Sequence, residues 1–339
     1  MDNLVVLNNE KVSKENNEFY SRNYNFKILP EGLNKYFRVE YIVRKSNTKE
    51  HHKLNLQNVK IASNIIQFIY FVISTFKNKN TKYYIITISP YTFISFLFLF
   101  LFRKKVFVYL ISSGYEEWKF ILGSWSVWIY HIMFNFTSVL ANFISCRKYI
   151  LKGKSGIVIH PSQLDSVWFR KPKSLEFKNF KLLYVGRIRV EKGIYSLVNL
   201  IKNKRNISLT IVGAEKNTSY KIKQSNAKIQ LTQNNKLRLI KYYDDHNIFV
   251  LPSFTEGHPM VLLEALARRR PVIIFEDISH VIGDKKGIFV AKRNFLNLIE
   301  VLNHIKKNYK KIQKDMMKNK LPTNKEFIEE FVKAIDDFK

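Results

Sequence analysis

Short β-branched and aromatic runs alternate with helix-like apolar stretches along the whole chain, and this alternation constrains the fold more than any other feature. Strands separated by helices predict parallel sheets with helices packed on both faces, which is the doubly wound α/β class. In the first half the predicted strands are Asn3–Asn9, Phe37–Arg44, Tyr83–Ser89 and Val106–Ser112. In the second half they are Lys181–Ile188, Ile207–Gly213, Ala227–Thr232, Asn247–Ser253 and Pro271–Phe275.

The length of 339 residues predicts two domains. A polar, lysine-rich segment, Ser174–Lys181, precedes a fresh run of strands, so we place the boundary at about residue 170. The predicted parts are an N-terminal domain over 1–169, a C-terminal domain over 170–320 and a terminal segment over 321–339. Two such domains leave a crevice between them, where ligands normally bind.

Several apolar segments raise the question of membrane contact. We expect one long helix over Val59–Lys77 and a buried strand and helix over Tyr83–Phe102, although the latter run is uncharged and long enough to cross a bilayer. The segment Trp118–Phe136 holds three of the 4 tryptophans. It is either packed in the core or a surface helix whose aromatic side chains enter a membrane interface. The N-terminus does not have the pattern of a secretory signal.

The chain is strongly basic, with 57 Lys and Arg against 27 Asp and Glu and a formal net charge of +30. The excess is spread over both halves, which argues against a nucleic-acid-binding protein, because that class concentrates its charge beside a recognisable binding module. An anionic membrane surface or a phosphorylated substrate fits diffuse positive charge. Drift of the composition towards lysine would explain it equally well. The single cysteine, Cys146, excludes an internal disulfide and fits a reducing compartment.

Two glutamates stand out in the stretch SFTEGHPMVLLEALARRRPVI, Ser253–Ile273. A strand ends at its start and Pro259 suits the first turn of a helix, so Glu256 falls in the turn and Glu264 within the helix. Gly257 allows close approach of a ligand to the backbone, and the helix start favours an anion. The alternative is that Glu256 complements the helix dipole and Glu264 is an ordinary solvated residue.

A second candidate motif, YVGRIRVEKG, follows the first strand of the C-terminal domain. Arg187 and Lys192 lie in the loop between Gly186 and Gly193, and two cations at the carboxyl end of a strand suit a diphosphate. Asp244 and Asp245 are adjacent acids just before the strand Asn247–Ser253. We interpret them as a solvated turn, so we predict no metal site.

Together, YVGRIRVEKG and LPSFTEGHPMVLLEALA resemble the motifs of the retaining family 4 glycosyltransferases. That family has the GT-B fold, in which two Rossmann-like domains face each other across a cleft. Glu256 and Glu264, with seven residues between them, match its paired-glutamate motif, and IVG, which ends at Gly213, lies where the family has a donor-site glycine.

The resemblance implies a role for each matching residue. Arg187 and Lys192 would bind the donor diphosphate and neutralise the leaving group, Glu256 would contact the donor sugar, and Glu264 would bind the ribose hydroxyls. The backbone around the donor would come from Gly186, Gly213, Gly257, His258, Pro259, Met260, Val261 and Leu262. Such enzymes retain the anomeric configuration by attack on the face of the leaving diphosphate, without an obligatory metal or other cofactor.

The chain departs from the family pattern on the acceptor side. No glycine-rich loop follows the first strand, and the sequence after Val106–Ser112 has no histidine where many members carry one. The positional candidates for the acceptor site are therefore Ser113, Gly114, Tyr115 and Glu116. Arg270 stands where glycine is common, and the terminal segment Glu326–Phe338 would return to the first domain or form a plain surface helix.

From these features we predict a cytoplasmic glycosyltransferase that is peripheral on the inner face of the membrane. Its co-substrate would be a nucleotide-diphosphate sugar, UDP-linked, and its acceptor a lipid-linked or other glycan in the biosynthesis of a surface polysaccharide such as capsule or lipopolysaccharide. Two alternatives stay open, a catalytically silent sugar-nucleotide-binding scaffold and, from charge alone, a nucleic-acid-binding protein. The sequence leaves the oligomeric state undetermined.

Overall fold

The computed structural model describes residues 1–78, 80–173, 177–215, 222 and 226–337. The chain divides into two compact units, a first unit of Met1–Gln163 with Asn324–Lys339 and a second unit of Leu164–Thr323. The division falls between Gln163 and Leu164. The predicted boundary rests on the segment Ser174–Lys181, and residues 174–176 of it lie outside the described residues. Residues 338–339 of the terminal segment also lie outside them.

The β-branched and aromatic runs of the sequence form the strands of two sheets. In the first unit these are β1 (Asn3–Glu15), β2 (Glu18–Ser21), β3 (Arg38–Lys45), β4 (His52–Leu54), β5 (Val59–Ala62), β6 (Thr81–Ile86), β7 (Val106–Leu110), β8 (Asn142–Ser145) and β9 (Ile157–Val158). In the second unit they are β10 (Phe180–Val185), β11 (Ile207–Ala214), β12 (Ala227–Leu231), β13 (Ile248–Leu251), β14 (Val272–Phe275) and β15 (Ile288–Ala291).

The helices lie between these strands and at the C-terminus. They are α1 (Tyr24–Leu33), α2 (Ile65–Ser74), α3 (Pro90–Leu101), α4 (Gly114–Leu122), α5 (Ser126–Leu140), α6 (Ile194–Leu200), α7 (Lys236–Asp245), α8 (Met260–Ala267), α9 (Phe295–Met316) and α10 (Asn324–Asp337). Side-chain hydrogen bonds cap the N-termini of several of these helices. The side chain of Asn64 caps α2 by accepting from the amide of Gln67, and Ser89 with Thr92 forms a capping box before Pro90 of α3.

In the first unit, seven of the described strands run parallel in the order β5, β3, β1, β6, β7, β8, β9, and β2 and β4 add an antiparallel edge. β1 is longer than the predicted strand Asn3–Asn9, because it continues to Glu15 and turns back into β2. Asn16 and Asn17 form that turn with φ of 46° and 63°, which asparagine tolerates better than most residues.

The expectation of one helix over Val59–Lys77 was wrong at its start. Val59–Ala62 pairs with β3 as β5, and the helix begins only after the cap at Asn64. The segment Tyr83–Phe102 forms β6 and α3, as favoured by the sequence. Across the described residues, every helix is too short or too polar to cross a bilayer.

Two helical layers cover the sheet of the first unit. One layer contains α2, α3 and α5, whose buried residues Phe68, Phe96 and Phe134 share a core cluster. The other layer contains α1 and α10, and there the ring of Phe331 lies 4.8 Å from that of Tyr84. The terminal segment thus packs within the first unit.

The second unit has a sheet of six strands among the described residues, all parallel, in the order β12, β11, β10, β13, β14, β15. β10 is therefore flanked by β11 and β13. Since the carboxyl ends of parallel strands meet at one edge, the loops that follow β10, β11 and β13 are neighbours. This edge brings the two sequence motifs together.

Candidate active site

Glycine allows the loops after β10 and β11 to touch through their backbones. Gly186 has a φ of 152° and Gly213 a φ of 143°, and a Cβ atom on Gly213 would lie only 1.9 Å from the carbonyl oxygen of Gly186. A side chain at this position would separate the two loops. Gly186 and Gly213, two of the predicted donor-site glycines, therefore lie at the carboxyl edge of the sheet.

The loop after β10 also packs directly against the loop after β13. A Cβ atom on Gly193 would lie 1.9 Å from the carbonyl oxygen of Pro252, and the amide of Phe254 donates to the carbonyl of Glu191 at 3.0 Å. Gly193 has a φ of 64°, in the left-handed region. The spacing of the two loops is thus set by backbone contact, without intervening side chains.

This contact places Lys192 beside Glu256. The Nζ of Lys192 lies 2.7 Å from Oε1 of Glu256, and the hydroxyl of Ser253 donates to the same oxygen at 2.7 Å. The two charged side chains are only 21% and 11% exposed, so their interaction is less screened than that of a surface pair. His280 Nε2 lies 2.7 Å from the carbonyl oxygen of Glu256, and this contact fixes the backbone of Glu256 as well.

Arg187 lies one residue beyond Gly186 and is exposed. Its carbonyl oxygen accepts a hydrogen bond of 2.8 Å from the hydroxyl of Tyr184. Burial raises the pKa of Tyr184, and the Glu256 carboxylate adds to the rise, so the tyrosine stays neutral and keeps its proton for this bond. The backbone of Arg187 is therefore fixed while its guanidinium faces solvent.

Glu264 is buried, with only 2% of its surface exposed, so the alternative that it is an ordinary solvated residue was wrong. It lies within α8, and its Oε2 accepts a hydrogen bond of 2.7 Å from the hydroxyl of Tyr243 in α7. Burial, and then the neighbouring Glu264 carboxylate, raise the pKa of Tyr243 well above its usual value. The tyrosine therefore remains a donor and orients this carboxylate.

The turn between β13 and α8 carries the remaining donor-side candidates. Gly257 and His258 lie in the turn and are half-buried, Pro259 takes the N-cap position, and Met260 opens the helix. The amide of Leu262 donates to the carbonyl of Pro259 at 3.1 Å. That amide is therefore already engaged, and Pro259 has no N–H, so the amides that remain to hold the donor are those of Gly257, His258, Met260 and Val261.

Sequence reasoning missed Arg293, which braces the loop that carries Glu256. Its Nη2 donates to the carbonyls of Pro252 at 2.8 Å and Ser253 at 3.0 Å, and its guanidinium lies 3.9 Å from the ring centre of Phe254. Asp277 pairs with its Nε at 2.7 Å. In sequence Arg293 is one basic residue among many, and only the fold shows its position.

The interpretation of Asp244 as part of a solvated turn was also wrong. Asp244 lies near the end of α7, and its two oxygens accept from Arg268 Nε at 3.0 Å and Nη2 at 2.7 Å. Arg270, where glycine is common in the family, is 1% exposed and donates to the carbonyls of Tyr243 and Lys173. These arginines hold the start of the second unit against α7 and α8. Within the described ranges, no group of three or more His, Cys, Asp and Glu could hold a metal ion.

The acceptor-side candidates lie in the first unit, where β7 leads into α4. Ser113 is 4% exposed and accepts the amide of Glu116 at its carbonyl, and the hydroxyl of Tyr115 lies 3.0 Å from His131 Nδ1. Gly114 packs against Tyr130, whose ring would be 2.1 Å from an added Cβ atom. The structure brings these four residues together at one strand end.

Two further residues at the same edge of the first unit were missed. Asn8 follows the first parallel part of β1 and is 2% exposed, and Thr87 follows β6 with a φ of 61°, which is unusual for a β-branched residue. A positive φ at threonine leaves no signal in the sequence.

Known glycosyltransferases resemble part of this chain. Residues 166–321 match the family described as Glycosyl transferases group 1. The capsular polysaccharide biosynthesis glycosyltransferase CapM of Staphylococcus aureus is 31% identical over 166 residues, which is 44% of this chain and 43% of that protein. The putative teichuronic acid biosynthesis glycosyltransferase TuaC of Bacillus subtilis (strain 168) is 29% identical over 136 residues, 39% of this chain and 34% of that protein. The matched region thus spans less than half of either relative.

Among solved structures, Anabaena Alr3699/HepE in complex with UDP-glucose covers 100% of both chains with a TM-score of 0.73 and 11% identity. At that identity the likeness concerns the fold, which is GT-B, with two Rossmann-like domains. The predicted fold class is confirmed. Within this fold, the match to the family described as Glycosyl transferases group 1 covers residues 166–321, which include most of the second unit.

Proposed function

We propose that this protein is a retaining, metal-independent glycosyltransferase of family 4 that uses a nucleotide-diphosphate sugar, UDP-linked, as its donor. The observation that carries the proposal is the juxtaposition of Lys192 with Glu256 at the carboxyl edge of the second sheet, where two glycine contacts fix the loops. A cation and a carboxylate at this edge can bind the two ends of one donor molecule. The cation would pair with the diphosphate, and the carboxylate would accept hydrogen bonds from the sugar hydroxyls.

The leaving group gives the cations their role. As the bond between the anomeric carbon and the diphosphate oxygen breaks, negative charge grows on the diphosphate, and Lys192 with Arg187 would stabilise it. The acceptor hydroxyl forms its new bond on the same face of the sugar and passes its proton to the departing phosphate oxygen. Glu256 orients both Lys192 and the donor sugar.

Glu264 would hold the ribose. A carboxylate that already accepts one hydrogen bond from Tyr243 retains lone pairs for the hydroxyls of the sugar ring of the nucleotide. The amides of Gly257, His258, Met260 and Val261 at the start of α8 would contact the donor, because a helix N-terminus favours anions. In this arrangement the donor nucleotide-diphosphate sugar is a co-substrate, and no cofactor takes part.

We further propose that the acceptor is a lipid-linked or other glycan of surface polysaccharide assembly and that the protein acts on the inner face of an anionic membrane. CapM and TuaC are named for capsular polysaccharide and teichuronic acid biosynthesis, which supports this class of product. The net charge of +30 supports attraction to an anionic surface.

A panel of nucleotides and nucleotide sugars, added in thermal-shift measurements, tests the donor. A ligand that binds only the folded state raises the free energy of unfolding, by about 2.7 kcal/mol when it is present at 100 times its Kd. The melting temperature rises as a result. We expect UDP-sugars to stabilise the wild type and to have less effect on Lys192→Ala, with Lys202→Ala as the exposed control. Failure of every nucleotide sugar to shift the wild type would contradict the proposal. Donor binding without nucleotide release in the presence of any acceptor would favour the silent scaffold.

A further inference from the structure

The two helical layers of the first unit present outer faces of opposite chemistry. α10 exposes Lys325, Glu329 and Lys333, as expected for a helix in contact with water. α2, α3 and α5, all of whose residues the structure describes, have no Asp, Glu, Lys or Arg along their lengths. One side of the same sheet is therefore covered by charged helices, and most of the other side by the three uncharged helices α2, α3 and α5.

The solvent-facing side of α5 is a stripe of large apolar residues. Trp125, just before the helix, is 66% exposed, followed by Trp128 at 69%, Ile132 at 46%, Phe136 at 43% and Val139 at 78%. Their spacing of three or four residues puts them on one face of the helix. The opposite face, with Tyr130, Met133 and Phe134, is already buried in the core, so this stripe is additional to the packing of the unit.

The stripe continues over the neighbouring helices. The ring of Phe100, at the end of α3, lies 6.3 Å from that of Phe136, and the ring of Phe102 lies 5.0 Å from that of Phe76 beside α2. We refer to the exposed apolar side chains within Ile66–Ile73, Phe100–Phe102, Phe120–Trp125 and Trp128–Leu140 as the apolar face. Monomeric soluble proteins rarely expose so many contiguous apolar side chains.

The edge of the apolar face is basic. Arg103 and Lys105 are exposed directly after α3, Lys77 is exposed after α2, and the ammonium of Lys104 lies 5.1 Å from the ring centre of Phe76. The adjoining helix α4 carries two acids, Glu116 and Glu117, and Glu117 accepts a hydrogen bond of 2.7 Å from Ser112. Aromatic and aliphatic side chains bordered by lysine and arginine are what an anionic bilayer surface binds.

We propose that the apolar face docks the first unit on an anionic lipid bilayer, with Trp125 and Trp128 in the interface and Arg103 to Lys105 against lipid headgroups. The inference rests on the membrane location in the proposed function, and it is independent of the glycosyl transfer chemistry. A second copy of the chain is the other possible occupant. The basic edge favours the bilayer, because a copy of the same face would add further positive charge instead of neutralising it.

Co-sedimentation with vesicles tests the surface. The full chain is mixed with vesicles of phosphatidylcholine alone or of equal parts phosphatidylcholine and phosphatidylglycerol, at low and high salt. We expect binding to the anionic vesicles that weakens with salt. The double variant Trp125→Ser with Trp128→Ser should lose about tenfold or more in partitioning, since each tryptophan transfers a large apolar surface into the interface.

The matched control is Leu296→Ser, which removes an apolar side chain that is 75% exposed on α9 of the second unit. All these side chains are exposed, so circular dichroism and melting should match those of the wild type. Equal binding to both vesicle types, or unchanged binding of the double tryptophan variant, would overturn the proposal. A dimer in sedimentation velocity that the double variant dissolves, without vesicle binding, would assign the face to self-association.

The same variants separate this inference from the donor proposal. Thermal shift with nucleotide sugars is measured without vesicles, and the double tryptophan variant should respond like the wild type. Loss of vesicle binding with an intact nucleotide response supports the docking surface, whereas Lys192→Ala should show the reverse pattern. Failure of one proposal would therefore leave the other measurable.

Discussion

Substitution of Gly193 by alanine should uncouple the two loops of the donor site. The added Cβ atom would lie 1.9 Å from the carbonyl oxygen of Pro252. An ordinary carbon to oxygen contact is about 3.3 Å, so one of the loops has to move by about 1 Å or more. A misplacement of about 1 Å at a catalytic site can cost about 100-fold in rate, because the reacting groups leave their productive geometry.

Gly153→Ala provides the matched control. Gly153 also has a positive φ, of 80°, but an added Cβ atom would meet nothing within 4 Å. Both variants carry the backbone cost of an alanine in the left-handed region, about 1–2 kcal/mol. Only Gly193→Ala adds the steric clash with the carbonyl oxygen of Pro252.

The assay is kcat/KM for the nucleotide sugar, measured well below the melting temperature of each variant. We expect a loss of about 100-fold for Gly193→Ala and near wild-type activity for Gly153→Ala. Equal activities of the two variants would refute the reasoning that backbone contact between the loops sets the site.

Three further predictions follow from single side chains. Tyr243→Phe removes the donor to the buried Glu264 and should cost about 1.5–3 kcal/mol in stability and about tenfold in nucleotide affinity; an unchanged Kd by titration calorimetry would contradict the orienting role. Arg293→Gln should lower kcat more than it raises KM, because the brace on Ser253 is lost while the binding groups remain; wild-type kinetics would show that the loop needs no brace. Burial raises the pKa of Cys146 to about 12, so the native thiol should resist a disulfide reagent at neutral pH and react once the protein is unfolded; fast reaction of the native protein would contradict the burial.

The fold could be predicted because its signals are local. Strands such as Val106–Leu110 are short apolar runs, and helices such as α3 begin at a recognisable cap with proline. The run Val59–Ala62 was missed as a strand because four residues do not define a period. The hairpin at Asn16 and Asn17 carries a turn signal in its two adjacent asparagines, and the predicted strand Asn3–Asn9 ends well before it.

The site could be predicted only by motif. Adjacency of Lys192 and Glu256 depends on the pairing of β10 with β13, which no local pattern encodes. The buried Glu264 depends on a tyrosine in the preceding helix as its partner, and the half-buried Asp244 depends on Arg268, which lies beyond α8. Charged residues are usually solvated, so the sequence alone favoured the wrong interpretation of Asp244.

The measurement that tests the central claim most directly is release of nucleoside diphosphate from the donor sugar, in the presence of a membrane extract that supplies acceptor. It is compared for the wild type, Glu256→Gln and the exposed control Glu276→Gln. We predict release by the wild type and the control, and at least about a 100-fold loss for Glu256→Gln while its circular dichroism spectrum shows a retained fold. Release by Glu256→Gln at the wild-type rate would contradict the assignment of this edge as the active site.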